Sequence, residues 1–153
     1  MKIFAIVVTY NGMKWIEECL SSLYCSSLPL EVIVVDNYSS DETVSFVKSK
    51  FSNIMLFEPK ENLGFGKANN IGISYALRQN ADFVFLLNQD AFVNKNTIEN
   101  LVRVAQQKPE YGILSPIQLD NSGKLLETYF FRFMAEDNSK SFYFWSLRLY
   151  CIS

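Results

Sequence analysis

Glu31-Val32-Ile33-Val34-Val35-Asp36-Asn37-Tyr38-Ser39-Ser40-Asp41-Glu42 decides the fold. Four β-branched residues in a row read as a strand covered on both faces, because a strand with one wet face would alternate. The polar run that follows turns the chain. Ser39 and Glu42 have capping-box spacing, which opens a helix there. Val44, Val47 and Phe51 form its apolar stripe. Strand, polar turn and helix make one βα unit, and the rest of the chain shows that the unit repeats.

Upstream, Ile3 to Thr9 is a second strand of the same apolar kind, followed by Trp15, Ile16, Cys19, Leu20, Leu23 and Tyr24 at helical spacing. Downstream, Ile54 to Phe57 is a shorter strand. A glycine-bearing loop leads to Ala68, Gly72 and Ala76, a small face that lets a helix lie close on a sheet. Asp82 to Leu87 is the next strand, and Asn96 can cap a helix with the stripe Ile98, Leu101, Val102 and Ala105. Tyr111 to Ser115 predicts a fifth strand, and Asn121-Ser122-Gly123 a turn. This alternation argues for an α/β protein: a mostly parallel central sheet, helices on both faces, right-handed crossovers.

The length, 153 residues, suits one domain with a real core. A net charge of −2 argues against a sequence-independent grip on nucleic acid. The chain has no histidine, which removes Ser-His-Asp and Cys-His nucleophiles and any zinc site that needs imidazole. Acid–base work falls to carboxylates, Lys, Tyr or Cys. Cys19, Cys25 and Cys151 show no C-x-x-C spacing and fit a reduced, cytosolic setting. The apolar start is too short for a signal peptide and runs straight into Thr9-Tyr10-Asn11-Gly12, and no apolar run is long enough to span a bilayer. Residues 129–153 hold nine aromatics, read first as core whose partners are absent and second as a surface meeting a membrane or another chain.

In open parallel sheets, ligands bind beyond the carboxyl ends of the strands. The polar clusters fall there: Thr9-Tyr10-Asn11-Gly12, Asp36-Asn37, Asn62 to Asn70, and Asn88-Gln89-Asp90. Asp36 can accept hydrogen bonds from a base or ribose, or simply cap a turn. Asp90 can share a hard divalent cation with phosphates and waters, or again be a turn residue. Gly64-Phe65-Gly66-Lys67-Ala68-Asn69 imitates G-x-G-x-x-G with Asn69 in place of the third glycine, and it follows the third strand rather than the first. Its glycines permit close backbone approach, and Lys67 can meet a phosphate or stay solvated.

Together these clusters resemble glycosyltransferase family 2, with its Rossmann-like GT-A three-layer fold. The residues that carry the resemblance are Val8 to Gly12, Val34 to Asp41, Asn62 to Gly72, and Leu86 to Asp90, in that order. The pattern is similar to bacterial members that build surface polysaccharide, including rhamnosyltransferase-like ones. The resemblance covers residues 1–118 as a nucleotide-sugar-binding subdomain and leaves 119–153 as an incomplete or atypical, aromatic-rich acceptor-side segment, so that a truncated fold is expected.

The resemblance implies that Thr9, Tyr10 and Asn11 line the nucleotide pocket, that Asp36 binds the base, and that Gly64, Lys67 and Asn69 lie near the nucleotide or diphosphate. Asn88 and Asp90 stand at the ends of the family's D-x-D element, with Asp90 the ligand of a divalent cation (Mg²⁺ or Mn²⁺). Asn88 is a neutral departure from that pattern. The family transfers sugar from a nucleoside diphosphate sugar, here expected to be UDP- or dTDP-linked, to a glycan or lipid-linked acceptor, with inversion. The catalytic base is not assigned, and Glu136-Asp137 echoes the family's acidic motif in the wrong setting. A cytoplasmic location, with peripheral contact at the inner membrane face left open, is implied. A nicotinamide-dependent oxidoreductase and a truncated, non-catalytic nucleotide-sugar-binding or assembly module are the competing expectations.

Overall fold

The computed structural model describes residues 1–117 and 119 together with the backbone of 148–151. The chain forms two compact units, residues 1–115 with 146–153, and residues 116–145; the described residues belong almost wholly to the first. Glu136-Asp137 and most of the aromatic tail lie outside the described residues.

The elements are β1 (Ile3–Thr9), α1 (Ile16–Tyr24), β2 (Glu31–Asp36), α2 (Thr43–Lys50), β3 (Met55–Phe57), α3 (Phe65–Arg78), β4 (Phe83–Asn88), α4 (Thr97–Gln107), β5 (Ile113–Leu114) and β6 (Arg148–Cys151). The sheet order is β3-β2-β1-β4-β6-β5. β1 pairs in parallel with β2 and with β4, and β2 in parallel with β3. β6 runs antiparallel to both β4 and β5. The expected mostly parallel α/β sheet is therefore present. The chain builds outward from β1 to β3, then returns to place β4 on the other side of β1. That reversal creates a topological switch point at the carboxyl ends of β1 and β4.

The apolar strands divide their side chains between two cores, as a period of two requires. Ile3, Ala5 and Val7 of β1 join Val32, Val34, Phe85 and Leu87 on one face, packed by Ile16, Leu20 and Leu23 of α1, Val47 of α2, and Ile98, Leu101 and Val102 of α4. Phe4, Ile6 and Val8 face the other way with Ile33, Val35 and Val84, under Ala68 and Ala76 of α3. Each large aliphatic side chain so buried contributes about 1.5–3 kcal/mol. The small face of α3 behaves as expected: a Cβ on Gly72 would lie 2.7 Å from Ile6 Cγ2, so α3 packs directly on β1.

Two helix starts differ from expectation. The Ser39–Glu42 capping box does not form: α2 begins at Thr43, with Glu42 at the cap position and no capping bond from its side chain. Ser39 Oγ instead accepts the Asn11 N–H at 2.8 Å, and Asp41 Oδ1 takes the Thr43 N–H at 3.0 Å. Asn96 stands at the start of α4 but makes no side-chain cap. The fifth strand is shorter than Tyr111 to Ser115, and its partner β6 is an element that the sequence patterns did not reveal.

Candidate functional site

The parallel register carries the polar clusters to one edge. Thr9 is paired with Asp36, and Val8 with Asn88, so the ends of β1, β2 and β4 are level. Beyond them the chain forms loops fastened to each other by side chains.

The first fastening joins β1 to β4. Gln89 Oε1 accepts the Thr9 hydroxyl at 2.7 Å and the Tyr10 N–H at 2.9 Å, while Gln89 Nε2 donates to the Tyr10 carbonyl at 3.3 Å. Thr9 is buried with its hydroxyl engaged, whereas Tyr10 is 48% exposed, leaving its ring available at the edge. Gly12 accommodates this arrangement, since a Cβ there would lie 2.3 Å from Thr9 Oγ1 and 2.4 Å from Gln89 Oε1.

The second fastening joins β1 to the loop after β2. Asn11 has a left-handed backbone (φ 47°), and its Oδ1 accepts the Ser40 N–H at 2.8 Å. Gly12 N–H donates to Thr43 Oγ1 at 2.9 Å, and Met13 N–H to Asp41 Oδ2 at 3.2 Å. Burial pushes the Asp41 carboxyl upward, but the bonds from the Thr43 hydroxyl, the Thr43 N–H and the Met13 N–H outweigh it and hold the group below its ordinary value.

The third fastening brings in the glycine loop. Asn37 is buried and donates from Nδ2 to Asn62 Oδ1 at 2.8 Å; its own Oδ1 accepts the Leu63 N–H at 2.8 Å. Asn62 Oδ1 also accepts the Gly64 N–H at 2.9 Å. Gly64 has φ 76° and nothing within 4 Å of where a Cβ would stand, so its glycine answers backbone geometry and leaves open space beside α3. Lys67, in the first turn of α3, is exposed. Asn69 turns inward: it is buried and its Nδ2 donates to the Phe65 carbonyl at 2.9 Å.

Asp36 sits among these loops at 3% exposure. Its Oδ2 accepts the Ser39 N–H at 2.9 Å, the turn-capping role. Its Oδ1 is buried, and among the described residues it has no hydrogen-bond partner. A buried carboxylate oxygen left unpaired costs about 1–3 kcal/mol or more, which a donor supplied from elsewhere would recover. Tyr38, two residues on, holds φ 74° and is 58% exposed, a strained backbone for a bulky side chain.

Asn88 ends β4, and its carbonyl accepts from Cys19 Sγ at 3.5 Å and from the Ala91 N–H at 3.1 Å. Asp90 is exposed, and among the described residues it forms no salt bridge. Burial, and secondly the charge of Asp90, push the Cys19 thiol up to about 12, so it stays protonated and serves as neither base nor nucleophile. Among the described residues no three His, Cys, Asp or Glu side chains converge on a common point. Among the described residues there is thus no closed protein cage for a metal ion.

Gln89, Asn37 and Asn62 belong to the polar clusters of the sequence, but the residue pattern gives none of them a role of its own, because their bonding partners are distant in sequence.

A mostly parallel sheet with its switch point at β1 and β4, and a polar edge of interlocked loops, is that of an α/β domain of the GT-A type. The model of the family described as "Glycosyl transferase family 2" matches residues 4–148, and the chain belongs to that family. Over 106 residues it is 34% identical to the poly(ribitol-phosphate) beta-N-acetylglucosaminyltransferase TarS of Staphylococcus aureus, covering 65% of this chain and 18% of that protein. The crystal structure of TarS 1–349 in complex with UDP superposes with a TM-score of 0.70 at 28% identity, covering 83% of this chain and 38% of that one. The N-acetylglucosaminyl-diphospho-decaprenol L-rhamnosyltransferase of Mycobacterium tuberculosis is 28% identical over 129 residues, 78% of this chain and 42% of that protein. The mannosyltransferase PcManGT of Pyrobaculum calidifontis, in complex with GDP-Man and Mn²⁺, gives a TM-score of 0.69 at 30% identity over 76% of this chain and 35% of that one. The chain spans less than half the length of each of these proteins. Among the described residues, no helix is long and apolar enough to cross a membrane.

Proposed function

We propose that the chain binds the donor of an inverting sugar transfer, from a UDP- or dTDP-linked sugar to a glycan or lipid-linked acceptor, in the synthesis of cell-surface polysaccharide. Residues 1–118 form the donor-binding part and 119–153 belong to the acceptor side. The observation that carries this reading is Asp36 Oδ1, a buried acceptor without a partner among the described residues, at the carboxyl end of β2. Uracil and thymine each present an imide N–H, the kind of donor this oxygen lacks. Tyr10 and Asn11 flank the nucleotide, Thr9 and Asn88 shape the strand ends beneath it, and Gly64 lets the backbone approach the diphosphate with Lys67 as a point charge. Asn69 acts from within α3, holding the first turn. A Mg²⁺ or Mn²⁺ ion on Asp90 would supply charge to offset the departing diphosphate. The crystal complexes of similar proteins with UDP, and with GDP-Man and Mn²⁺, support this reading. Action takes place on the cytoplasmic side, with peripheral contact at the membrane where the acceptor is lipid-linked.

The test is calorimetric titration of the chain with UDP and with dTDP, each with and without Mg²⁺ or Mn²⁺, beside Asp36→Ala and Asp90→Ala. The expected result is binding that the cation strengthens, that Asp36→Ala weakens in either condition, and that Asp90→Ala makes cation-independent. A folded chain that binds neither nucleotide sinks the proposal.

A further inference from the structure

We infer that Gln89 is the positioning residue that makes the nucleotide loop after β1 and the Asp90 carboxylate a single preorganised unit. This rests on the donor-binding reading and assigns to the middle residue of Asn88-Gln89-Asp90 a task of its own.

β1 ends at Thr9 and β4 at Asn88, so the backbone ladder between them stops there. The Gln89 carboxamide continues it by one more residue, taking the Tyr10 N–H at 2.9 Å and giving Nε2–H to the Tyr10 carbonyl at 3.3 Å. A peptide N–H can only donate and a carbonyl can only accept, so this pairing also fixes which end of the amide is oxygen. The Thr9 hydroxyl at 2.7 Å adds a third bond to the same oxygen. Gly12 closes around the group with no room for a side chain.

Three bonds from one side chain are more than a turn residue needs. Two of them grip the Tyr10 peptide, which carries an exposed ring, and the next residue along the chain from Gln89 is Asp90. A ligand that spans base to diphosphate would touch the loop with one part and, with the other, a cation that Asp90 would hold. Its affinity then depends on the spacing between them, which Gln89 sets. Side chains held by such supporting bonds keep a site within the narrow tolerance that binding demands. Asn in place of Gln is one methylene too short to reach both Tyr10 groups, and Met has the length without the bonds.

The experiment titrates UDP into the full chain and into Gln89→Met and Gln89→Asn, with and without Mn²⁺, at a temperature where circular dichroism shows each variant folded. The result expected is an affinity for UDP with Mn²⁺ reduced about tenfold or more, with the enhancement by Mn²⁺ falling toward one. A residue that only stabilises the fold would lower the melting temperature and leave that enhancement as in the parent chain. Unchanged affinity and enhancement in the folded variants overturn the role of Gln89 while the donor site stands. Equal weakening with and without Mn²⁺ overturns the coupling to Asp90. Failure of the parent chain to bind UDP at all overturns both this inference and the donor-binding reading. Gln89→Asn keeps a polar side chain, so it answers the question if Gln89→Met does not fold.

Discussion

Asn37 holds Asn62 across 25 residues of sequence: its Nδ2 donates to Asn62 Oδ1 at 2.8 Å while its Oδ1 takes the Leu63 N–H at 2.8 Å. The loop that leads into α3 is therefore moored to the end of β2 by one buried amide. Replacing it by alanine leaves a backbone donor without its partner and frees the Asn62 carboxamide. Asn37→Ala is expected to destabilise the chain by about 1–3 kcal/mol. Amide exchange at Leu63 and Gly64 should rise more than at β1, because the loss is local. Denaturant unfolding together with residue-resolved exchange checks this; uniform exchange across the sheet would contradict it.

The contact between α3 and β1 makes an opposed pair of expectations. Gly72→Ala gains about 1 kcal/mol of helix propensity. It also drives a methyl group to within 2.7 Å of Ile6 Cγ2 and 3.1 Å of Ile6 Cδ1, in a core with no slack. Overpacking of this kind costs about 1–3 kcal/mol, so the net effect is loss of stability. Gly66 lies in the same helix with nothing within 4 Å of a Cβ position and no left-handed backbone, so Gly66→Ala is expected to be neutral or stabilising by up to about 1 kcal/mol. Thermal unfolding should show a lower midpoint for Gly72→Ala and an unchanged or higher one for Gly66→Ala, and a destabilised Gly66→Ala would show that the loop, not the helix, sets the local conformation.

The same contacts show what could be read in the residues and what could not. β1, β2 and β4 were legible as continuous apolar runs because burial on both faces leaves no other pattern. Ala68, Gly72 and Ala76 were legible as a packing face because helical spacing puts them on one side. β6 was not: Arg148-Leu149-Tyr150-Cys151 has neither alternation nor a long apolar run, and only its pairing to β4 and β5 makes it a strand. The position of the candidate site followed from the strand ends. Its internal bonding did not, since Thr9 and Gln89 are 80 residues apart and nothing local announces their hydrogen bond. Ser39 failed as a helix cap for a related reason, because Asn11 from another loop claimed its hydroxyl.

Asp41 gives the loops a dependence on acid. Its folded value is lowered, so the carboxylate contributes stability that is fully present above the unfolded carboxyl range and is lost as pH falls through the lower folded value. Asp41→Asn removes that charge-dependent part. The expected outcome is a parent chain more stable than Asp41→Asn at pH 7, with the gap closing below about pH 4. Urea unfolding from pH 7 to pH 2.5 measures it. A gap that widens toward acid would mean that the bonds from Thr43 and Met13 do not favour the charged form.

Cys19 and Cys25 should separate cleanly by reactivity. Cys25 is exposed, whereas Cys19 is 1% exposed with its thiol pushed up to about 12, by burial first and by the charge of Asp90 second. At about pH 7.5 the thiol therefore stays protonated, and the thiolate is the attacking species. Iodoacetamide treatment of the native chain, read by peptide mass spectrometry, is therefore expected to label Cys25 and spare Cys19 until denaturant is added. Asp90→Asn removes only the smaller of the two causes, so Cys19 should stay unlabelled in that variant too. Rapid labelling of Cys19 in native Asp90→Asn alone would reverse the order of the two causes. Rapid labelling in both proteins would mean that α1 opens away from the end of β4, where Cys19 Sγ meets the Asn88 carbonyl at 3.5 Å. The site built on that strand end would then be less rigid than its hydrogen bonds imply.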